Sequence, residues 1–157
     1  ISGKEMTKVL FDAEEVVTRV MHRHQVGPYQ GRIIELKNDC DAGAQMEGDA
    51  DALALAWGNL LENALKYSPS SEPVSILLSE GDAGLSVVFD DGGTGIPFDQ
   101  RENVLRKFER LKDSETSGTG LGLYLADQIL KMHKGKLHIE SNERGGSRIA
   151  TWIPKSN

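Results

Sequence analysis

Residues 49–67, DADALALAWGNLLENALKY, fit only a fold that offers a broad apolar surface to a helix. At 3.6 residues per turn Leu53, Trp57, Leu60, Leu61, Ala64 and Leu65 share one face. Asp49 or Asp51 suits the cap, and Ser68-Pro69 stops the helix near Tyr67. A face this wide has to be covered. Two pairs of strands offer the cover. VSILLSE and LSVVFD flank GDAG, while KLHIES and RIATWIP flank NERGG, both with the alternation of half-buried hairpins. RIIELK (32–37) reads as a further strand, and LGLYLADQILKMH (121–133) as a further helix. From Lys4 to His24, Val9, Leu10, Ala13, Val16, Val17 and Val20 recur at helical spacing, predicting one helix that stops before Gly27-Pro28. The order predicts an α+β chain: a two-layer α/β sandwich with a mixed, mostly antiparallel sheet and helices on one face. At 157 residues, with 38% hydrophobic and 27% charged residues, one domain over 1–157 is expected.

The formal net charge of −6 excludes a surface built to hold nucleic acid or anionic lipid, so a polyanion is expected only in a local pocket. Cys40 is the single cysteine, which rules out an internal disulfide and fits a reducing, cytoplasmic compartment. The apolar run ALALAWGNLL is about half a membrane span, and ISGKEM has no signal-peptide character. A chain beginning ISG is expected to be part of a longer protein, which leaves open a membrane-bound parent.

Chemistry concentrates in four places. Opposite the apolar face of helix 49–67 lies a polar stripe, Asn59, Glu62, Asn63 and Lys66, facing away from the core. It is either a solvated face or a ligand site. Asparagine is a poor helix former, and an amide oxygen can complete the octahedron of a magnesium ion whose other ligands are phosphate and water. In DDGGTGIP (90–97), the alternation Leu85, Val87, Phe89 points Asp91 inward where the chain turns into glycine. That is either a turn with two solvated carboxylates or a carboxylate selecting adenine through its exocyclic amine. In SGTGLGL (117–123), Gly118, Gly120 and Gly122 run into a helix whose N–H groups can wrap phosphate. Leu123 stands where a G-x-G-x-x-G motif needs its third glycine. VLRKFERL (104–111) sets Phe108 among Arg106, Lys107 and Arg110, by itself an ordinary charged helix turn, within a charge-rich stretch, 98–118, that predicts a long mobile connection.

Taken together and in this order, NLLENALKYSP, DGGTGIP, KFERL and GTGLGLYLADQI resemble the N, G1, F and G2 boxes of the catalytic and ATP-binding domain of sensor histidine kinases; GGSRIATWIP extends the likeness almost to the C-terminus. The resemblance implies the Bergerat nucleotide-binding fold and ATP with Mg2+ as cofactors. It implies Asn63 as magnesium ligand, Asn59 as its catalytic neighbour, Lys66 at the phosphates and Tyr67 against adenine. It further implies Asp91 on the adenine amine beside Gly93, Gly95 and Ile96, with Ser147 near the base. Gly118, Thr119, Gly120, Leu121, Gly122 and Leu123 would close a lid (98–118) over the triphosphate, with Lys107 or Arg110 acting at the γ-phosphate.

Three positions depart from the family pattern. Leu105 replaces the first F-box phenylalanine and Gly92 a common asparagine. Asn59 stands where hydrolytic members of the superfamily place a water-activating glutamate, so transfer is expected over hydrolysis. None of His22, His24, His133 and His138 has the context of a phosphate acceptor; they are predicted as surface or packing residues. The implied partners are the protein's own dimerisation and acceptor-histidine domain, expected to be absent from this chain, in a homodimeric parent, and a response regulator. Neither nucleic acid nor direct membrane contact is expected. A serine kinase of the anti-sigma type and a non-catalytic nucleotide-binding module are the competing readings; NALKYSP and the long charged connection favour the histidine kinase.

Overall fold

The computed structural model describes residues 6–41, 43–81, 83–92, 119–141 and 146–155; the expected lid, 98–118, with Lys107, Arg110 and Gly118, and also Gly93, Gly95 and Ile96, lie outside the described residues. In chain order the elements are β1 (Val9–Asp12), α1 (Ala13–Gln25), β2 (Ile34–Asn38), β3 (Gln45–Gly48), α2 (Ala50–Tyr67), β4 (Val74–Gly81), β5 (Gly84–Asp90), α3 (Thr119–Met132), β6 (Lys136–Ser141) and β7 (Ser147–Pro154). Five strands form one sheet in the order β2-β4-β5-β7-β6, parallel only between β2 and β4; β1 and β3 pair separately. The mixed, mostly antiparallel sandwich read from the sequence is the fold observed.

Helix α2 sits between α1 and α3 and lies on the sheet. The Asp49 carboxylate caps it by accepting from the Ala52 N–H at 3.1 Å. Leu53, Trp57, Leu60 and Leu61 are fully buried against inward side chains of the sheet that include Ile76, Leu78, Val87 and Phe89. Each such side chain contributes about 1.5–3 kcal/mol through burial, so the face that demanded a cover fixes the layer order.

Two expectations are corrected. The helix predicted over Lys4–His24 is a strand followed by a helix. Asp12 is extended (φ −95°, ψ 114°), and its carboxylate accepts from the Glu14 N–H at 2.9 Å, so α1 starts only at Ala13. Val9 and Leu10 pair with Gly48 and Glu47 and are exposed, not part of the helical stripe. Strand β3 occupies what reads as a polar loop, with Met46 buried. The second correction is Asn63, which is not on an exposed face: it is 3% exposed.

His133, at the end of α3, ties that helix to the start of α2. Its Nδ1–H donates to the Ile129 carbonyl at 2.8 Å and its Nε2 accepts from the Asp49 N–H at 3.0 Å, which fixes the tautomer. The backbone of Gly48 passes so close that a Cβ there would stand 2.9 Å from His133 Cδ2. His133→Ala leaves the Asp49 N–H without its partner, and a loss of about 1–3 kcal/mol of unfolding free energy is expected by urea titration.

Candidate functional site

The site has two halves. The first is the last two turns of α2. Asn63 is buried, and its Oδ1 has no hydrogen-bond partner among the described residues. A buried amide oxygen left unpaired costs about 1–3 kcal/mol, so this oxygen calls for a donor or a cation from outside the described residues. One turn earlier Asn59 is half-buried. A Cβ on Gly122 would lie 3.5 Å from Asn59 Cβ and Cγ, so the first turn of α3, residues 119–122, runs over Asn59. The glycine-rich segment thus meets the asparagine stripe. Lys66 and Tyr67 stay exposed in the last turn of α2. Leu123, expected near the ligand, is 1% exposed and part of the apolar core.

The second half is the end of β5. The two aspartates divide as alternation dictates: Asp90 faces outward and accepts from Arg148 Nε at 3.2 Å, while Asp91 is 2% exposed. Asp91 Oδ1 accepts from the Ser147 N–H at 3.1 Å, and the Asp91 N–H donates to the Ser147 carbonyl at 3.0 Å. Gly146 makes this approach possible. A Cβ on it would overlap the Asp91 carbonyl oxygen and stand 2.8 Å from Oδ1. Gly92 borders Glu72, whose Cβ and Cγ lie 3.3 Å from the place of a Cβ. An asparagine at that position, common in the pattern that the sequence resembles, would therefore press on the base of the Glu72 side chain, which would have to give by a few tenths of an ångström.

The structure brings Asp91 to Ser147 and Asn59 to Gly122, with α2 also touching β5. It adds Gly146, which the sequence offers only as part of a hairpin loop, and Arg32, which reads there as the start of a strand. Burial, followed by the Glu80 charge, pushes the Cys40 thiol up, and burial, with Glu62 adding to it, raises the Tyr29 phenol, so both are protonated at neutral pH. His22 and His138 are exposed, and His24 Nδ1 hydrogen-bonds the Val20 carbonyl at 2.9 Å. Among the described residues, no three His, Cys, Asp or Glu side chains form a metal-holding group, and no helix is long and apolar enough to cross a membrane.

Residues 48–157 match the family model described as histidine kinase-, DNA gyrase B-, and HSP90-like ATPase. The chain is 31% identical over 147 residues to the sensor-like histidine kinase SenX3 of Mycolicibacterium smegmatis, covering 92% of this chain and 38% of that protein. It is 34% identical over 110 residues to the sensor histidine kinase CpxA of Escherichia coli, covering 68% of this chain and 24% of that one. The chain therefore spans well under half the length of these curated relatives. Among solved structures, a mycobacterial sensor histidine kinase, MprB, superposes with a TM-score of 0.82 at 28% identity, over 96% of this chain and 99% of that one. The catalytic domain of histidine kinase ThkA shares the fold with a TM-score of 0.81 at 23% identity, over 97% of this chain and 100% of that one.

Proposed function

The chain belongs to the histidine kinase-, DNA gyrase B-, and HSP90-like ATPase family, and on that premise we propose that it is the ATP-binding catalytic domain of a sensor protein-histidine kinase. It passes the ATP γ-phosphate to a histidine on a separate dimerisation domain of its own homodimeric parent, on the cytoplasmic side if that parent sits in a membrane. A response regulator then takes the phosphate. The observation that carries this reading is the buried Asp91 carboxylate, fixed at the end of β5 by the Ser147 N–H.

A carboxylate has about four acceptor directions, and a buried one at this position suits the exocyclic amine of adenine, which guanine lacks at that edge. Tyr67, exposed beside the site, lies against the base. Lys66 brings an ammonium to the phosphates. Asn63 Oδ1, buried and unpaired, fits as one ligand of Mg2+; the ion supplies charge neutralisation on the phosphate oxygens when bound. Gly118 and the glycines of the first turn of α3 offer N–H groups to the triphosphate, and Lys107 or Arg110 meets the γ-phosphate. Phosphoryl transfer is positioning plus charge neutralisation. With an amide at Asn59 instead of a carboxylate, nothing at that position takes a proton from water, so the γ-phosphate waits for an imidazole nitrogen.

The test uses γ-labelled ATP. The chain alone is expected to bind ATP and label none of His22, His24, His133 and His138; mixed with a dimerisation domain carrying the acceptor histidine, it labels that residue with an acid-labile, base-stable phosphate. Stoichiometric label on the isolated chain, or label on a partner serine, overturns the reading, the latter in favour of the anti-sigma class. A second prediction concerns the metal. Asn63→Ala should abolish the gain in ATP affinity that Mg2+ gives over chelator, while circular dichroism stays unchanged. A variant that keeps the full Mg2+ effect removes Asn63 from the site.

A further inference from the structure

Arg32 precedes β2, yet its guanidinium reaches the far end of α2. Nη1 donates to the Leu65 carbonyl at 2.8 Å, and Nη2 to Ser68 Oγ at 2.6 Å and the Pro69 carbonyl at 3.2 Å, with the Glu72 carbonyl at 3.5 Å. The last carbonyls of a helix have no intrahelical acceptor role to fill. A planar cation there meets them with a fork of donors and sits at the negative end of the helix dipole. The Ser68 N–H closes the helix on the Ala64 carbonyl at 3.2 Å, whereas the Leu65 carbonyl is met by the guanidinium, since Pro69 has no N–H to give.

That last turn carries the phosphate side of the site and ends on Tyr67, assigned to the base. Lys66 follows Leu65 directly, and Asn63 lies within the same turn. The remainder of α2 is fixed by its buried apolar face and by the Asp49 cap, so losing Arg32 loosens the end of the helix rather than the whole of it. The adenine side has separate anchors, Ser147 and Gly146 on the β7 side of the sheet. We infer that Arg32 is a positioning residue for the phosphate half of the nucleotide site, setting the last turn of α2 so that Lys66 and Asn63 meet the triphosphate and its ion. The inference rests on the nucleotide reading proposed above.

The two anchors make the test selective. Binding of adenosine and of MgATP is measured by calorimetry on the wild-type chain, Arg32→Ala and Arg32→Lys, below the melting temperature of each. For Arg32→Ala, MgATP affinity should fall about tenfold, the lower end of what one charge-assisted hydrogen bond carries, with adenosine affinity falling several-fold less, since only Tyr67 on the adenine side shares that turn. Arg32→Lys keeps the charge but not the fork and should recover part of the loss. A purely structural residue would lower the melting temperature and leave the ratio of the two affinities where it was; that result overturns the assignment. If Arg32→Ala does not fold, Arg32→Lys decides: a loss larger for MgATP than for adenosine supports the assignment, and wild-type affinity for both ligands, or an equal loss for both, overturns it. A wild-type chain without MgATP affinity would instead overturn the nucleotide reading, and this inference with it.

Discussion

Asp91→Asn is expected to lower affinity for adenine nucleotides about ten- to a hundredfold, the range of one charge-assisted hydrogen bond, and to leave the fold intact. The asparagine keeps an oxygen for the Ser147 N–H, now 3.1 Å from Oδ1, so that bond is retained. Its amide N–H2, however, faces the adenine amine donor to donor. The same group can donate to the carbonyl that guanine carries at that edge, so relative preference should move toward guanine nucleotides. Calorimetric titration of ATP and GTP into both proteins reads this directly. An Asp91→Asn chain that keeps wild-type ATP affinity would remove Asp91 from base recognition.

Gly146→Ala should be as damaging although it removes no polar group. The added carbon would overlap the Asp91 carbonyl oxygen, a backbone atom that no rotamer change can move aside. The start of β7 has to back away, and both Asp91–Ser147 hydrogen bonds, one to the carboxylate and one between backbones, lengthen or break. Overpacking of this kind costs about 1–3 kcal/mol, and ATP affinity should fall at least as far as in Asp91→Asn because the carboxylate itself is displaced. Urea unfolding and nucleotide titration on one preparation separate the two effects. Unchanged values in both would mean that the strand end yields freely.

What could be read in advance was whatever repeats locally. The apolar face of α2, the β4–β5 and β6–β7 hairpins and the inward turn of Asp91 all follow from periodicities within a few residues. Strands β1 and β3 escaped because each has four residues and a single ladder, and because Val9 and Leu10 also fall at helical spacing from the α1 residues. Asn63 reads as the uncovered side of one helix, but α2 has α1 and α3 as neighbours besides the sheet, and a single-helix projection cannot count them. Arg32 and Gly146 leave no local signal. Their partners lie 33 or more residues away for Arg32, and on another strand for Gly146, so only the tertiary structure gives them a role.

The place of β7 in the sheet has a consequence for biosynthesis. This strand follows every other described strand in sequence and lies between β5 and β6, so a chain still lacking it has neither the β5–β7 nor the β6–β7 ladder, and the Ser147 N–H that meets Asp91 across 56 residues does not yet exist. Contacts of such separation form late, after the loop-closure entropy has been overcome. Nucleotide affinity is therefore expected to emerge only once residues 147–154 have been synthesised. A nascent or truncated chain, whatever helices it has formed, is held silent by its own topology.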